Sequence, residues 1–96
     1  MKAQLVYWHK ARIRDRYILE MEIHHVLKSD RNKDGVKYRI ILIDPKTGKR
    51  VLMDNHYPKG HHIHLDEKEL SYTFWDEDKL IDDFKQLVWE HLEVKL

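Results

Sequence analysis

The sequence predicts an α+β domain: an antiparallel sheet of about four strands with one C-terminal helix packed on one face. Three observations carry this. Apolar residues alternate with period two through the first half, the signature of strands with one solvated side. From Asp76 onward the period changes to 3.6, as in an amphipathic helix. Glycine- and proline-bearing turn signatures separate the extended runs. With 96 residues and no linker or repeat, the chain reads as one domain.

The first strand is expected around Ala3, Leu5 and Tyr7, whose odd positions are apolar, although Val6 and Trp8 add apolar residues on the other face. A second run places Tyr17, Leu19, Met21 and Ile23 on one side and Arg16, Glu20, Glu22 and His24 on the other. Between them Lys10, Arg12, Arg14 and Arg16 form a basic ladder, which would share one face of a hairpin if pairing continued. Ser29 to Gly35 is a loop ending in Asp-Gly. Val36 to Asp44 is a strand whose Ile40-Ile41-Leu42-Ile43 run suggests a central position buried on both faces. A turn at Asp44-Pro45-Lys46-Thr47-Gly48 leads to a short fourth strand, Val51 to Asn55, and Tyr72 to Trp75 offers a further extended piece. Asp76 is the expected helix N-cap, and Leu80, Ile81, Phe84, Leu87, Val88 and Leu92 form its apolar stripe. His91 falls in that stripe, where a satisfied core histidine is expected. Trp89 falls on the charged face, which marks it as a candidate partner contact.

The net charge of +1 hides a polarity along the chain. Residues 1 to 64 hold fourteen Lys and Arg against seven Asp and Glu; residues 65 to 96 hold four against ten. Such asymmetry points towards an anionic partner on one side, often a nucleic acid. Its plainer reading is two solvated faces of a highly charged protein. Cysteine is absent, which excludes disulfides and thiolate metal sites and leaves only His and carboxylate ligands for a metal. No apolar run exceeds the four residues Ile40 to Ile43, far short of the ~20 of a membrane helix. The opening Met1-Lys2-Ala3-Gln4 has no apolar stretch of signal-peptide length. A soluble cytoplasmic protein without a membrane partner is therefore expected.

The segment from Asp54 to His64 concentrates the chemistry, with four of the eight histidines, Lys59, Asp54 and a Pro58-Lys59-Gly60 turn. Histidine can both give and take a proton near neutral pH. Metal-free RNA cleavage needs a base for the 2′-hydroxyl, an acid for the leaving oxygen and a cation for the phosphate. His62 and His64, two apart, lie on the same side of an extended segment and could supply the first two, while His61 points away. Lys59 and the backbone around Gly60 could supply the third. A second reading is a metal-dependent hydrolase in which His62, His64 and either Asp54 or His56 bind zinc or an iron-type metal. Only one carboxylate, Asp54, lies in the segment, and further acids to orient the histidines are not evident nearby, so neither metal nor cofactor is expected. A third reading is a non-catalytic nucleic-acid or protein-binding module. In the plainest reading these are solvated histidines of a polar loop.

Asp54-Asn55, then Lys59-Gly60-His61-His62-Ile63-His64, then Tyr72-Thr73-Phe74 before an acidic helix start, resembles the TumE family. These are small proteins described as the toxins of toxin–antitoxin pairs, typically partnered by a helix-turn-helix antitoxin. The resemblance extends to Met1-Lys2-Ala3 and to Lys37-Tyr38-Arg39. The family pattern Lys-Gly-x-His-x-His is met by Lys59, Gly60, His62 and His64, whereas Ile63 stands where arginine is common and Pro58 where glycine is common. The resemblance implies a toxin acting on RNA or the translation machinery. Its expected catalytic residues are His62, His64, Lys59 and Asp54; Arg12, Arg14, Arg16, Lys59, Gly60 and His61 are the expected phosphate contacts.

Overall fold

In the computed structural model, residues 3–96 are described, so the Met1-Lys2 part of the resemblance lies outside the described residues. Six strands precede one helix: β1 (Gln4–Ile13), β2 (Tyr17–His25), β3 (Val36–Ile43), β4 (Arg50–Asp54), β5 (His62–Leu65), β6 (Lys68–Ser71) and α1 (Glu77–Leu92). Each strand pairs antiparallel with its neighbour in sequence, giving one sheet in the order β1 to β6. The fold is thus α+β as expected, but the sheet has six strands rather than about four. The two additional strands are β5, which begins inside the histidine segment, and β6 after it. Tyr72 to Trp75 is not a strand but the connection into the helix.

Strand alternation divides the sheet into two unlike faces. Leu19, Met21 and Ile23 of β2 face the helix with Tyr38, Ile40 and Leu42 of β3, Val51 and Met53 of β4 and Ile63 of β5, all buried. Against them α1 lays Leu80, Phe84 and Val88, each 0 % exposed. Asp76 caps the helix by accepting from the Lys79 N–H at 2.7 Å, and Glu77 and Asp78 complement the positive end of its dipole. Glu93, in the left-handed region at φ 56, ends it. His91 is half-buried and Asp66-paired, with Nε2 2.9 Å from Oδ2. Trp89 points outward, about half exposed.

Among the described residues no helix covers the opposite face. Ile41 and Ile43 of β3 lie there only half-buried, so the Ile40–Ile43 run is central in strand order but fully buried on one side only. The register instead draws two largely polar rows across this face. One runs Trp8–Glu22–Arg39–Asp54–His62–Ser71, and the next runs Lys10–Glu20–Ile41–Leu52–His64–Glu69. No described helix is long and apolar enough to cross a membrane.

Candidate active site

Where β4, β5 and β6 cross these rows, four side chains converge. Antiparallel pairing sets Asp54 opposite His62 and His64 opposite Glu69, with Cβ atoms about 5 Å apart in such pairs. The extended backbone of β5 puts His62 and His64 on the same side, their rings edge to face at 4.7 Å between centroids. His62 Nε2 lies 2.8 Å from Asp54 Oδ1 and 3.7 Å from Glu69 Oε1, and His64 Nε2 lies 3.8 Å from that same Glu69 oxygen. The site is graded in depth: the His62 side chain is 9 % exposed, that of His64 25 % and that of Glu69 40 %. His62 is therefore the anchored member and His64 the one within reach of solvent.

The turn before β5 fixes His62. Gly60 takes the left-handed conformation at φ 74, which glycine adopts without strain, and its carbonyl faces His62 Nδ1 at 2.7 Å. A carbonyl can only accept, so Nδ1 carries a proton and donates it, and Nε2 is the atom left for chemistry. Asp54 Oδ1 is close to that nitrogen but out of line for a hydrogen bond, and it is buried without a hydrogen-bond partner among the described residues. An unsatisfied buried acceptor costs about 1–3 kcal/mol, which the fold tolerates here beside Nε2. Lys59, on the same turn, donates to both Glu69 oxygens at 3.0 and 3.3 Å. That hydrogen bond, joined by the charges of Lys59, His62 and His64, holds the Glu69 carboxyl below its ordinary range despite partial desolvation.

Beside Asp54 the open face forms a shallow cleft of ≈540 Å³, lined among others by His24, Lys37, Arg39 and His56. Neither Lys37 nor Arg39 has an ion-pair partner among the described residues. Arg39 neighbours Asp54 in the register, so cationic charge borders the converging side chains directly.

The remaining expected site residues disperse. His61 turns to the other side of the sheet, where Tyr38, Asp34 and Phe74 occupy it fully. Its Nδ1 lies 2.8 Å from the Tyr38 hydroxyl, its Nε2 2.6 Å from Asp34, and its ring stacks on Phe74 at 5.1 Å. Both of its ring nitrogens are thus engaged within the fold, on the side of the sheet away from His62 and His64. The basic ladder ends at Arg12: the last β1–β2 pair is Ile13 with Tyr17, and Arg14 to Arg16 form the hairpin tip, with Arg14 and Asp15 at positive φ. Arg16 reaches across to the buried Asp44 at 2.7 Å. Only Lys10 and Arg12 keep the shared open-face stripe. Ile63, between the two site histidines, belongs to the core at 8 % exposure, so this position cannot present a phosphate contact here. Sequence reasoning missed Glu69 and the cations Lys37 and Arg39 as site residues. Pairing the alternating segments His62–Leu65 and Lys68–Ser71 about a two-residue turn would have found Glu69. No protein-family model, curated protein or solved structure matches the chain.

Proposed function

We propose that this chain is an RNA-cleaving toxin of the TumE kind, a metal-independent endoribonuclease whose site is the Asp54–His62–His64–Glu69 cluster. The observation that carries this reading is the convergence of two histidines and two carboxylates on an open sheet face, beside a cleft bordered by cations without an ion-pair partner among the described residues. RNA cleavage is a reaction that can use such a set without further groups. Lys37 and Arg39 hold the phosphate, and His64, the more accessible ring, takes the 2′-hydroxyl proton. The 2′-oxygen then attacks phosphorus while the bond to the 5′-oxygen breaks. His62 gives its Nε2 proton to that leaving oxygen, with Asp54 placed to accompany the charged ring. The products are a 2′,3′-cyclic phosphate and a free 5′-hydroxyl, and His64 leaves protonated. Glu69 positions both rings through its shared oxygen, and Lys59 in turn positions Glu69, so Lys59 acts on the cluster rather than on the phosphate.

A folded toxin of this kind is held in check by a partner, and Trp89 with the exposed apolar residues of β1, Leu5 and Trp8 among them, offers surface for a helix-turn-helix antitoxin. The test uses single-stranded RNA in EDTA. His62→Ala and His64→Ala are each expected to lose about two to four orders of magnitude in cleavage rate. They should also relieve growth arrest while keeping the wild-type circular dichroism spectrum and RNA affinity. Cleavage at the wild-type rate by a folded double variant refutes the assignment. Unchanged RNA binding with no cleavage by any form would make the chain a binding module.

A further inference from the structure

We infer that Asp54, His62, His64 and Glu69 also form a site for a zinc-class divalent cation, and that this ion and RNA cleavage exclude one another. The inference rests on the reading of His62 and His64 as the proton-transfer pair, because a metal on their Nε2 atoms removes both. The first argument is distance. A tetrahedral zinc with bonds of about 2.0–2.1 Å sets its donor atoms roughly 3.3 Å apart. The separations here are 2.8 Å for His62 Nε2 to Asp54 Oδ1, and 3.7 and 3.8 Å from Glu69 Oε1 to the two histidine nitrogens. Asp54, His62 and His64 place one donor atom each within 4.8 Å of one another. Small side-chain movements would bring these values to a common coordination sphere.

The second argument is the wiring around the donors. Metal-ligating histidines commonly donate their second ring N–H to a carbonyl or carboxylate, which fixes the ring and the tautomer. His62 does so already, through Nδ1 to the Gly60 carbonyl at 2.7 Å. Lys59 similarly anchors Glu69 from outside the cluster. The sequence expectation of no metal rested on a single carboxylate in the segment and on no evident acids to orient the histidines; the fold adds Glu69 from β6 as a second carboxylate and orients His62 through the Gly60 carbonyl instead of an acid. Third, Asp54 Oδ1 is buried, has no hydrogen-bond partner among the described residues and lies 2.8 Å from Nε2, so two acceptor atoms crowd each other when the ring is neutral. A cation between them replaces that repulsion with two bonds. Two imidazoles with two carboxylates favour zinc and its transition-metal neighbours over magnesium or calcium, which take oxygen sets.

The experiment titrates zinc sulfate into EDTA-treated, dialysed protein freed of any affinity tag, with cobalt(II) absorption as a report of tetrahedral coordination. One zinc per chain is expected. Affinity should fall by more than about tenfold in Asp54→Asn and in His64→Ala, with circular dichroism confirming that both fold. His9→Ala, on the exposed β1, should bind as wild type. RNA cleavage by the wild-type chain should fall in proportion to zinc occupancy and return with EDTA. Absence of one-to-one binding, or binding that Asp54→Asn and His64→Ala leave unchanged, overturns the site. Zinc-stimulated cleavage overturns the exclusion. Binding as expected in a chain that never cleaves RNA keeps the site and removes the proposed reaction instead.

Discussion

His61 and His62 are adjacent, chemically identical and differently used. His61 sits on the helix side with every polar atom matched: the Tyr38 hydroxyl donates to Nδ1, Nε2 donates to Asp34, and Phe74 covers the ring. Burial lifts the Tyr38 hydroxyl well above its ordinary pKa, so it remains a donor. His62 sits on the open side with one nitrogen tied to a carbonyl and the other 2.8 Å from a buried carboxylate oxygen that has no hydrogen-bond partner among the described residues. A satisfied network specifies a fold, and an incompletely satisfied one marks where chemistry or a ligand is expected. One step of strand alternation separates the two roles.

The largest stability effect that tests this contrast is expected at His61. Truncation to Ala removes two hydrogen bonds and an aromatic stack and leaves the Tyr38 hydroxyl without its acceptor. A cost of about 2 kcal/mol follows, from a donor left unsatisfied and the missing ring pair. Urea denaturation measures it. At temperatures where the variant stays folded, its RNA cleavage should lie within about threefold of wild type, in contrast to the two to four orders of magnitude expected at His62. Unchanged stability with abolished cleavage would reverse the roles given to the two histidines.

A smaller effect separates the far hairpin from the site. Asp44 is buried and accepts from Arg16, from the Lys46 N–H and from the Thr47 hydroxyl. The Arg16 hydrogen bond leads these in holding its carboxyl down to about 2. A depressed folded-state pKa contributes stability above the unfolded value of about 3.9, and that contribution is lost as pH falls towards 2. Arg16→Ala should therefore flatten the acid limb of the stability curve between about pH 4 and pH 2 without altering the pH profile of cleavage. A changed cleavage profile would return Arg16 to the RNA-binding surface.

The legible and illegible parts of this molecule divide along the same lines. The helix could be read because Asp76, its acidic first turn and the stripe from Leu80 to Leu92 act within a few residues of each other. His62 and His64 were legible by spacing alone, since alternation needs no partner strand. Strands β5 and β6 were not, because each has four residues and their turn at Asp66-Glu67 lacks the glycine that signals a tight hairpin. Asp66 takes the left-handed conformation at φ 57 instead, with its carboxylate receiving the Arg50 N–H and facing His91. Without that hairpin Glu69 has no visible neighbour, and the second carboxylate of the site stays hidden. The basic ladder shows the converse failure. Its alternation is real in sequence, but the chain turns at Arg14, and geometry stops the stripe at Arg12.

The smallest expected effect is in salt dependence, and it ranks the two cationic regions of the open face. Lys37 and Arg39 border the site, whereas Arg12 lies on β1, three strand spacings or about 14 Å from β4. Arg12 also has Asp15 at 3.8 Å, a solvent-exposed pair worth little but enough to dilute its field. For single-stranded RNA, each phosphate that a variant no longer neutralises lowers the salt slope of binding by about 0.7. Lys37→Glu/Arg39→Glu should free up to two phosphates and weaken both binding and cleavage. Arg12→Glu/Arg14→Glu should free at most one, because Arg14 has left the strand, and should spare the cleavage rate at saturating RNA. Both pairs are exposed, so thermal unfolding should stay close to wild type. Equal slopes for wild type and the Lys37/Arg39 variant would place the RNA elsewhere. A larger change at Arg12/Arg14 would instead run the RNA along β1, with the site reached only by its end.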